Sequence, residues 1–185
     1  IVLTPGGETA NEPGQGGTQD DAADTNGNMT VDFGFVPNMS IGSTVFYDPN
    51  NDGVQDITNP LEGGIAGVTV QLLYDVNGDG TIAPSEVIAT DITDASGNYY
   101  FGNLPAGKYQ VAVAPAANAP VSSTANNGDT QVDLDDNGTQ ASSGAATYSP
   151  VIMLVAGTEA TEAGTNPGAS QDDAAETNGD MTVDF

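Results

Sequence analysis

Apolar residues along the chain fall in short clusters separated by Gly, Asn and Asp, and no segment carries a helical period. Seven clusters rich in β-branched and aromatic residues read as strands: Ser40 to Tyr47, Val68 to Tyr74, Val87 to Ile92, Tyr99 to Leu104, Lys108 to Ala114, Val151 to Val155 and Met181 to Phe185. Between them lie Asn51-Asp52-Gly53, Gly78-Asp79-Gly80, Ser96-Gly97-Asn98 and Pro105-Ala106-Gly107, residues that tolerate positive φ or fix a turn. The pattern predicts an all-β sandwich of about seven strands. Tyr47, Tyr74, Tyr99, Tyr100, Phe101 and Tyr109 follow the strand spacing and are expected in packing roles. Two polar stretches, Ala116 to Thr147 and Ala156 to Thr177, are long for structureless loops within one domain. Bound metal is the simplest agent that would order them.

The chain repeats itself. QDDAADTNGNMTVDF at Gln19 to Phe33 returns as QDDAAETNGDMTVDF at Gln171 to Phe185, with changes only at Asp24/Glu176 and Asn28/Asp180. A weaker similarity continues upstream, Ile1 to Ala10 against Ile152 to Thr161, and the period of 152 residues between Gln19 and Gln171 is a whole domain. Residues 1–35 therefore read as the tail and last strand of a preceding repeat, or as a donor segment, and residues 36–185 as one complete repeat ending on the same tail. Met29 to Phe33 and Met181 to Phe185 both alternate apolar and polar residues, as a half-buried strand does. One domain body offers one slot for this strand, so the second copy is expected to pair with a neighbouring body, because an open strand edge invites strand addition. The neighbour is a copy of the same repeat, in a tandem array or a homopolymer.

Charge narrows the function. Asp and Glu total 26 against a single Lys or Arg, a formal net charge of -25 at pH 7. That sign repels nucleic-acid phosphates and anionic membrane surfaces and leaves cations as the natural partners. The chain has neither His nor Cys, which removes imidazole bases, thiolate nucleophiles, the usual zinc ligands and disulfides. No apolar run reaches the roughly 20 residues of a membrane span.

The carboxylates are spaced. Asp75-Val76-Asn77-Gly78-Asp79-Gly80-Thr81-Ile82-Ala83-Pro84-Ser85-Glu86 fits the twelve-residue calcium loop D-x-[DN]-x-[DN]-G-x5-E at every specified position. In that pattern Asp75, Asn77 and Asp79 supply oxygen ligands, Gly80 allows the sharp turn, Thr81 offers its carbonyl and Glu86 closes the shell. The alternative is a solvated Asp-Gly hairpin turn. A second run, Asp48, Asn50, Asp52, Gly53, Val54 and Asp56, repeats the first half but has Asn59 at position twelve and Glu62 three residues later. Asp48, Asn50, Asp52, the Val54 carbonyl, Asp56 and Glu62 are expected to bind a second calcium. A third concentration, Asp133, Asp135 and Asp136, has no partner nearby in sequence. The tails carry Asp172-Asp173 and Asp20-Asp21, and like charges meeting in space favour a shared cation. A solvated acidic loop is the other reading of this third group. Lys108, the lone cation, is expected at the surface.

Ile41 to Asp56 (IGSTVFYDPNNDGVQD), Gly64 to Leu73 (GIAGVTVQLL) and Gly97 to Val111 (GNYYFGNLPAGKYQV) together resemble the B-type domains of bacterial serine-aspartate repeat surface proteins. The resemblance implies an Ig-like or prealbumin-like sandwich of the collagen-adhesin-B type, outside the cell, with calcium stiffening tandem domains that serve as stalks. It supports Asp48, Asn50, Asp52 and Asp56 as one calcium site and makes the loop near Asp133 to Asp136 a further candidate. Related collagen-adhesin domains often form an isopeptide from a first-strand lysine, and Ser40 to Tyr47 has none. The expectation is a calcium-stabilised extracellular repeat building a bacterial surface stalk or filament, without catalysis. The competing reading is an adhesin module that recognises a host protein or glycan through its long loops. Paired carboxylates acting as in a glycosidase form the weakest reading, since they sit in metal-loop spacing.

Overall fold

The computed structural model describes residues 2–7, 33–124, 134–160 and 177–185, in two units, Ile1–Val36 and Pro37–Phe185. In the first unit the Gly7 amide donates to the Thr4 carbonyl at 2.9 Å, and Phe33, Phe35 and Val36 are exposed.

The second unit is built of strands β1 (Met39–Thr44), β2 (Thr69–Tyr74), β3 (Val87–Ile92), β4 (Asn98–Leu104), β5 (Gly107–Val113), β6 (Thr139–Gln140), β7 (Thr147–Tyr148), β8 (Ile152–Leu154) and β9 (Gly179–Asp180). One sheet has the order β4-β1-β9 and the other β3-β2-β5-β7-β6, with β8 also on β5. The expected all-β sandwich is what forms. No helix among the described residues is long and apolar enough to cross a membrane. Side chains alternate as a two-faced strand requires: Val70 and Leu72 of β2, Tyr99 and Phe101 of β4, and Tyr109 and Val111 of β5 turn into the core between the sheets. Lys108 is exposed.

The structure departs from the sequence expectation in the polar stretch from Ala116 to Thr147, which contributes β6 and starts β7. These strands have two residues each and little apolar signal, and backbone pairing rather than burial creates them. β7 and β8 together form one interrupted partner for β5. Ala112 and Val113 pair with Tyr148 and Thr147, and Gly107 to Tyr109 pair with Leu154 to Ile152. Pro150 has no amide hydrogen to give the ladder. At the gap Ser149 Oγ accepts from the Val111 amide at 3.0 Å.

The tail also differs from expectation. The strand proper is only Gly179–Asp180, parallel to β1, but the chain continues along β1 to its last residue. Val183 N donates to Gly42 O at 3.4 Å, Phe185 N to Thr44 O at 3.0 Å, and Phe46 N to Phe185 O at 2.7 Å. Residues 179 to 185 are all buried. Val183 and Phe185 join the core, and the Tyr99 hydroxyl donates to Val183 O at 2.5 Å.

Candidate metal centre

In chain order the first acidic loop, Asp48 to Glu62, follows β1, and the second, Asp75 to Glu86, joins β2 to β3. Both wrap in the same way around the carboxylate at their first position. Asp75 Oδ1 accepts from Gly78 N at 2.7 Å and Asp79 N at 3.2 Å, and its Oδ2 from Gly80 N at 2.8 Å. Asp48 Oδ1 accepts from Asn51 N at 2.7 Å and Asp52 N at 3.4 Å, and its Oδ2 from Gly53 N at 2.8 Å. Asn77 and Asn50 each accept from the residue two further on, at 2.8 and 3.0 Å. Asp79 and Asp52 do the same with Thr81 N and Val54 N, at 2.9 and 3.0 Å.

This wrapping demands left-handed backbone at the fourth and sixth positions. Gly78 and Gly80 supply φ of 75° and 89°, and Asn51 and Gly53 supply 58° and 76°. Asn is the side chain that best tolerates that region after Gly, so the sequence difference at position four leaves the conformation intact.

The two closing glutamates take equivalent places despite their different spacing. Glu86 Oε2 accepts from Ala83 N at 2.8 Å, and Glu62 Oε2 accepts from Asp56 N at 2.7 Å. Ala83 and Asp56 both stand ninth in their loops. The extra residues before Glu62 are taken up in a turn in which Asn59 N donates to Asp56 O at 2.8 Å and Glu62 N to Asn59 O at 3.0 Å.

Among the described residues no group of three or more Asp or Glu carboxylates is disposed to hold a metal by itself. Each loop instead offers two carboxylates and an amide oxygen at positions one, three and five, a seventh residue whose carbonyl is available in the pattern, and a glutamate at its closing edge. An all-oxygen set with mixed charge suits a hard cation such as calcium and not a thiophilic one. Asp79 is held below the usual carboxylate range, first by the Thr81 hydroxyl and then by the Thr81 amide. Asp56 is lowered likewise by Thr58, hydroxyl first, and its Oδ1 is engaged there, at 2.6 Å from Thr58 Oγ1. Both stay ionised at neutral pH, as a cation ligand must.

The third acidic group does not stand apart. Asp135 pairs with Val54 across an isolated bridge, Gln55 N donates to Leu134 O at 2.8 Å and Asp136 N to Gly53 O at 2.9 Å. The loop at 134–138 is therefore stitched to the first acidic loop. Asp136 is fully buried. Burial pushes its carboxyl above the ordinary range and the nearby Asp48 charge adds to this, against the Ser123 hydroxyl and the Gly138 amide. Asp133, Asp172, Asp173, Asp20 and Asp21 lie outside the described residues.

Sequence reasoning missed the group that binds the tail. Asp184 is fully buried. Its Oδ1 accepts from Ser43 Oγ at 2.6 Å and Thr44 N at 3.1 Å, and its Oδ2 from Leu134 N at 2.9 Å. Asn137 N donates to Asp184 O at 3.0 Å, and Asp184 N donates back to Asn137 Oδ1 at 2.9 Å. Partners 47 to 141 positions apart leave no local trace. The one available signal was the exact return of Thr-Val-Asp-Phe in both tails.

Residues 39–151 match the SdrD B-like domain family. Serine-aspartate repeat-containing protein C of Staphylococcus aureus strain N315 is 41% identical over 121 residues, 58% of this chain and 11% of that relative. The same protein of strains Mu50 and Newman matches to the same extent, so the chain spans 11% of the length of the curated relatives it matches. On the match across residues 39–151, the chain belongs to the SdrD B-like domain family.

Proposed function

We propose that this chain is a calcium-stabilised structural repeat of a bacterial surface stalk or filament, located outside the cell and linked copy to copy through its duplicated tail. The family is one of surface-protein repeats and not of enzymes, which agrees with a mechanical role. The carrying observation is the common hydrogen-bond lattice of the two acidic loops, down to the closing contact of Glu62 and Glu86 with the ninth amide. Calcium would be held by Asp48, Asn50, Asp52, Val54, Asp56 and Glu62 in one loop and by Asp75, Asn77, Asp79, Thr81 and Glu86 in the other. Bound there, it supplies the positive charge that offsets part of the formal -25.

The chain's own residues do the rest. The amides at positions four to six fix the first carboxylate, and the left-handed residues keep the loop closed. Met29 to Phe33 completes a neighbouring body as Met181 to Phe185 completes this one, and the identity of the two segments is the support for that linkage.

Thermal melting of the full chain in calcium and in excess chelator tests the metal. A ligand present at a hundred times its dissociation constant stabilises the native state by about 2.7 kcal/mol, so the chelated chain is expected to melt several degrees lower. Coincident melts would remove calcium from the proposal. Self-association followed by light scattering over a concentration series tests the linkage.

A further inference from the structure

Beside the end of the tail lies an apolar cavity of about 400 Å³, lined by Val45, Tyr47, Val113, Ala119 and Phe185, with Leu61 at its rim. Leu61 and Val121, which also lines it, are 70% and 63% exposed. Apolar side chains around an open hollow at a strand end call for an occupant.

The repeat identifies one. In the first copy of the tail the alternation does not stop at Phe33, because Met29, Val31, Phe33 and Phe35 are apolar at every second position, with Gly34 between the last two. Phe33 is the counterpart of Phe185. In an extended chain the residue two positions on projects to the same face about 7 Å farther along, and Phe185 already lines the cavity on that face. The backbone register continues as well. Tyr47 N donates to Gly63 O on one side and Phe46 N to Phe185 O on the other, so the Phe46 carbonyl points, like its amide, toward the tail. In a parallel ladder its donor is the amide two residues past Phe185, the position Phe35 holds in the other copy. Phe35 itself is 92% exposed.

We propose that this cavity is the seat of Phe35 from a second copy of the repeat: where that copy's tail takes the place of Met181 to Phe185 along β1, the aromatic that follows it enters the hollow beside Tyr47 and Val113 and locks the junction between copies. The inference rests on the tail-linkage reading and assigns its anchor.

Two measurements separate the anchor from the linkage. First, the full chain is extended after Phe185 by Gly-Phe-Val-Pro, the sequence of Gly34 to Pro37, or by Gly-Ser-Ser-Pro. Burying the aromatic is expected to raise the melting temperature by about 5 °C over the serine version, and Leu61→Asp in the body is expected to abolish that gain. Equal melts for the two extensions overturn the assignment. Second, the Kd of self-association is compared for the unmodified chain and Phe35→Ser, with an expected weakening of about tenfold to a hundredfold. Mixing Phe35→Ser with Leu61→Asp should restore one junction, since each brings the half the other lacks. If the chain stays monomeric while the aromatic extension still raises the melt, linkage between separate chains fails and with it Phe35 of a second copy as the occupant, and the hollow takes only an aromatic that follows the tail in the same chain. Unchanged association by Phe35→Ser together with equal melts would leave the linkage and remove the seat.

Discussion

The two acidic loops share a conformation and differ in what they touch. The loop from Asp75 to Glu86 hangs between β2 and β3, and its residues from Asp75 to Thr81 are exposed or half-exposed. The loop from Asp48 to Glu62 is stitched to 134–136, and its closing glutamate is buried, receiving Asn59 Nδ2 at 2.8 Å in addition to the Asp56 amide. From there the path continues in one step: Leu134, which accepts from Gln55, donates its own amide to Asp184 of the tail. An identical local motif is thus a peripheral clip in one place and part of the tail's binding site in the other. Sequence pattern specifies the loop, and the contacts outside it decide its consequence.

Cutting that path gives the largest expected effect. Asp184→Ala leaves Ser43 Oγ, Thr44 N and Leu134 N without their acceptor in a buried setting, which should cost about 3 kcal/mol. It should also free the tail, seen as fast amide exchange at Val183 and Phe185 while β2 and β3 remain protected. If the tail stays protected in this variant, Asp184 does not hold it, and the contrast between the loops loses its basis.

Next in size is the difference between the two closing residues, measured in chelator so that folding contacts alone are compared. Glu62→Ala strands the Asp56 amide and the Asn59 side chain and should cost about 2 kcal/mol, with faster exchange reaching Leu134. Glu86→Ala removes a partly exposed acceptor and should cost less than about 1 kcal/mol, with exchange confined to residues 75–87. Equal costs would show that the surroundings of the two loops are energetically alike.

What the sequence disclosed follows the range of the interactions. Val87 to Ile92 was legible to the residue because its β-branched run sits between two turn signals, and the wrapping of the acidic loops was legible because the groups that make it lie within a dozen positions. Glu62 was reachable despite the longer spacing, since it is the first acid after Asp56. β6 and β7 were not legible: Thr139, Gln140 and Thr147 carry no alternation, and they become strand only because β5 offers backbone groups to β7 and β7 in turn offers them to β6. Nor were the stitching of Asp135 and Asp136 to the first loop or the Asp184 clamp, since both are made by chain segments that meet only after the sandwich has closed. The alternation reaching Phe35 was present throughout, and its meaning depended on a cavity that only the fold reveals.

The smallest expected effect comes from an aspartate that resembles the loop ligands without sharing their pattern. Asp94 opens the turn between β3 and β4, its Oδ1 accepting from Ser96 N at 2.8 Å and Asn98 N at 2.9 Å. The Asn98 amide holds its carboxyl below the usual range against the opposing effect of burial, and the Ser96 amide adds to the lowering. A depressed folded-state pKa means that the stabilisation is present above the unfolded value, near pH 3.9, and is lost as pH falls through the lower folded value. Asp94→Ala should therefore lower stability at neutral pH by no more than about 1 kcal/mol. The deficit against the parent chain should shrink as the pH falls from about 3.9 through the lower folded-state value. Asn98 stands fifth from Asp94 as in the two loops, but Tyr99 and not Gly stands sixth and no acid follows before Asp129 to close a shell, so the deficit should be the same in calcium and in chelator. A calcium-dependent deficit at Asp94 would mean that the cation acts on the acidic chain at large, and the distinction between loops that bind and turns that merely fold would not hold.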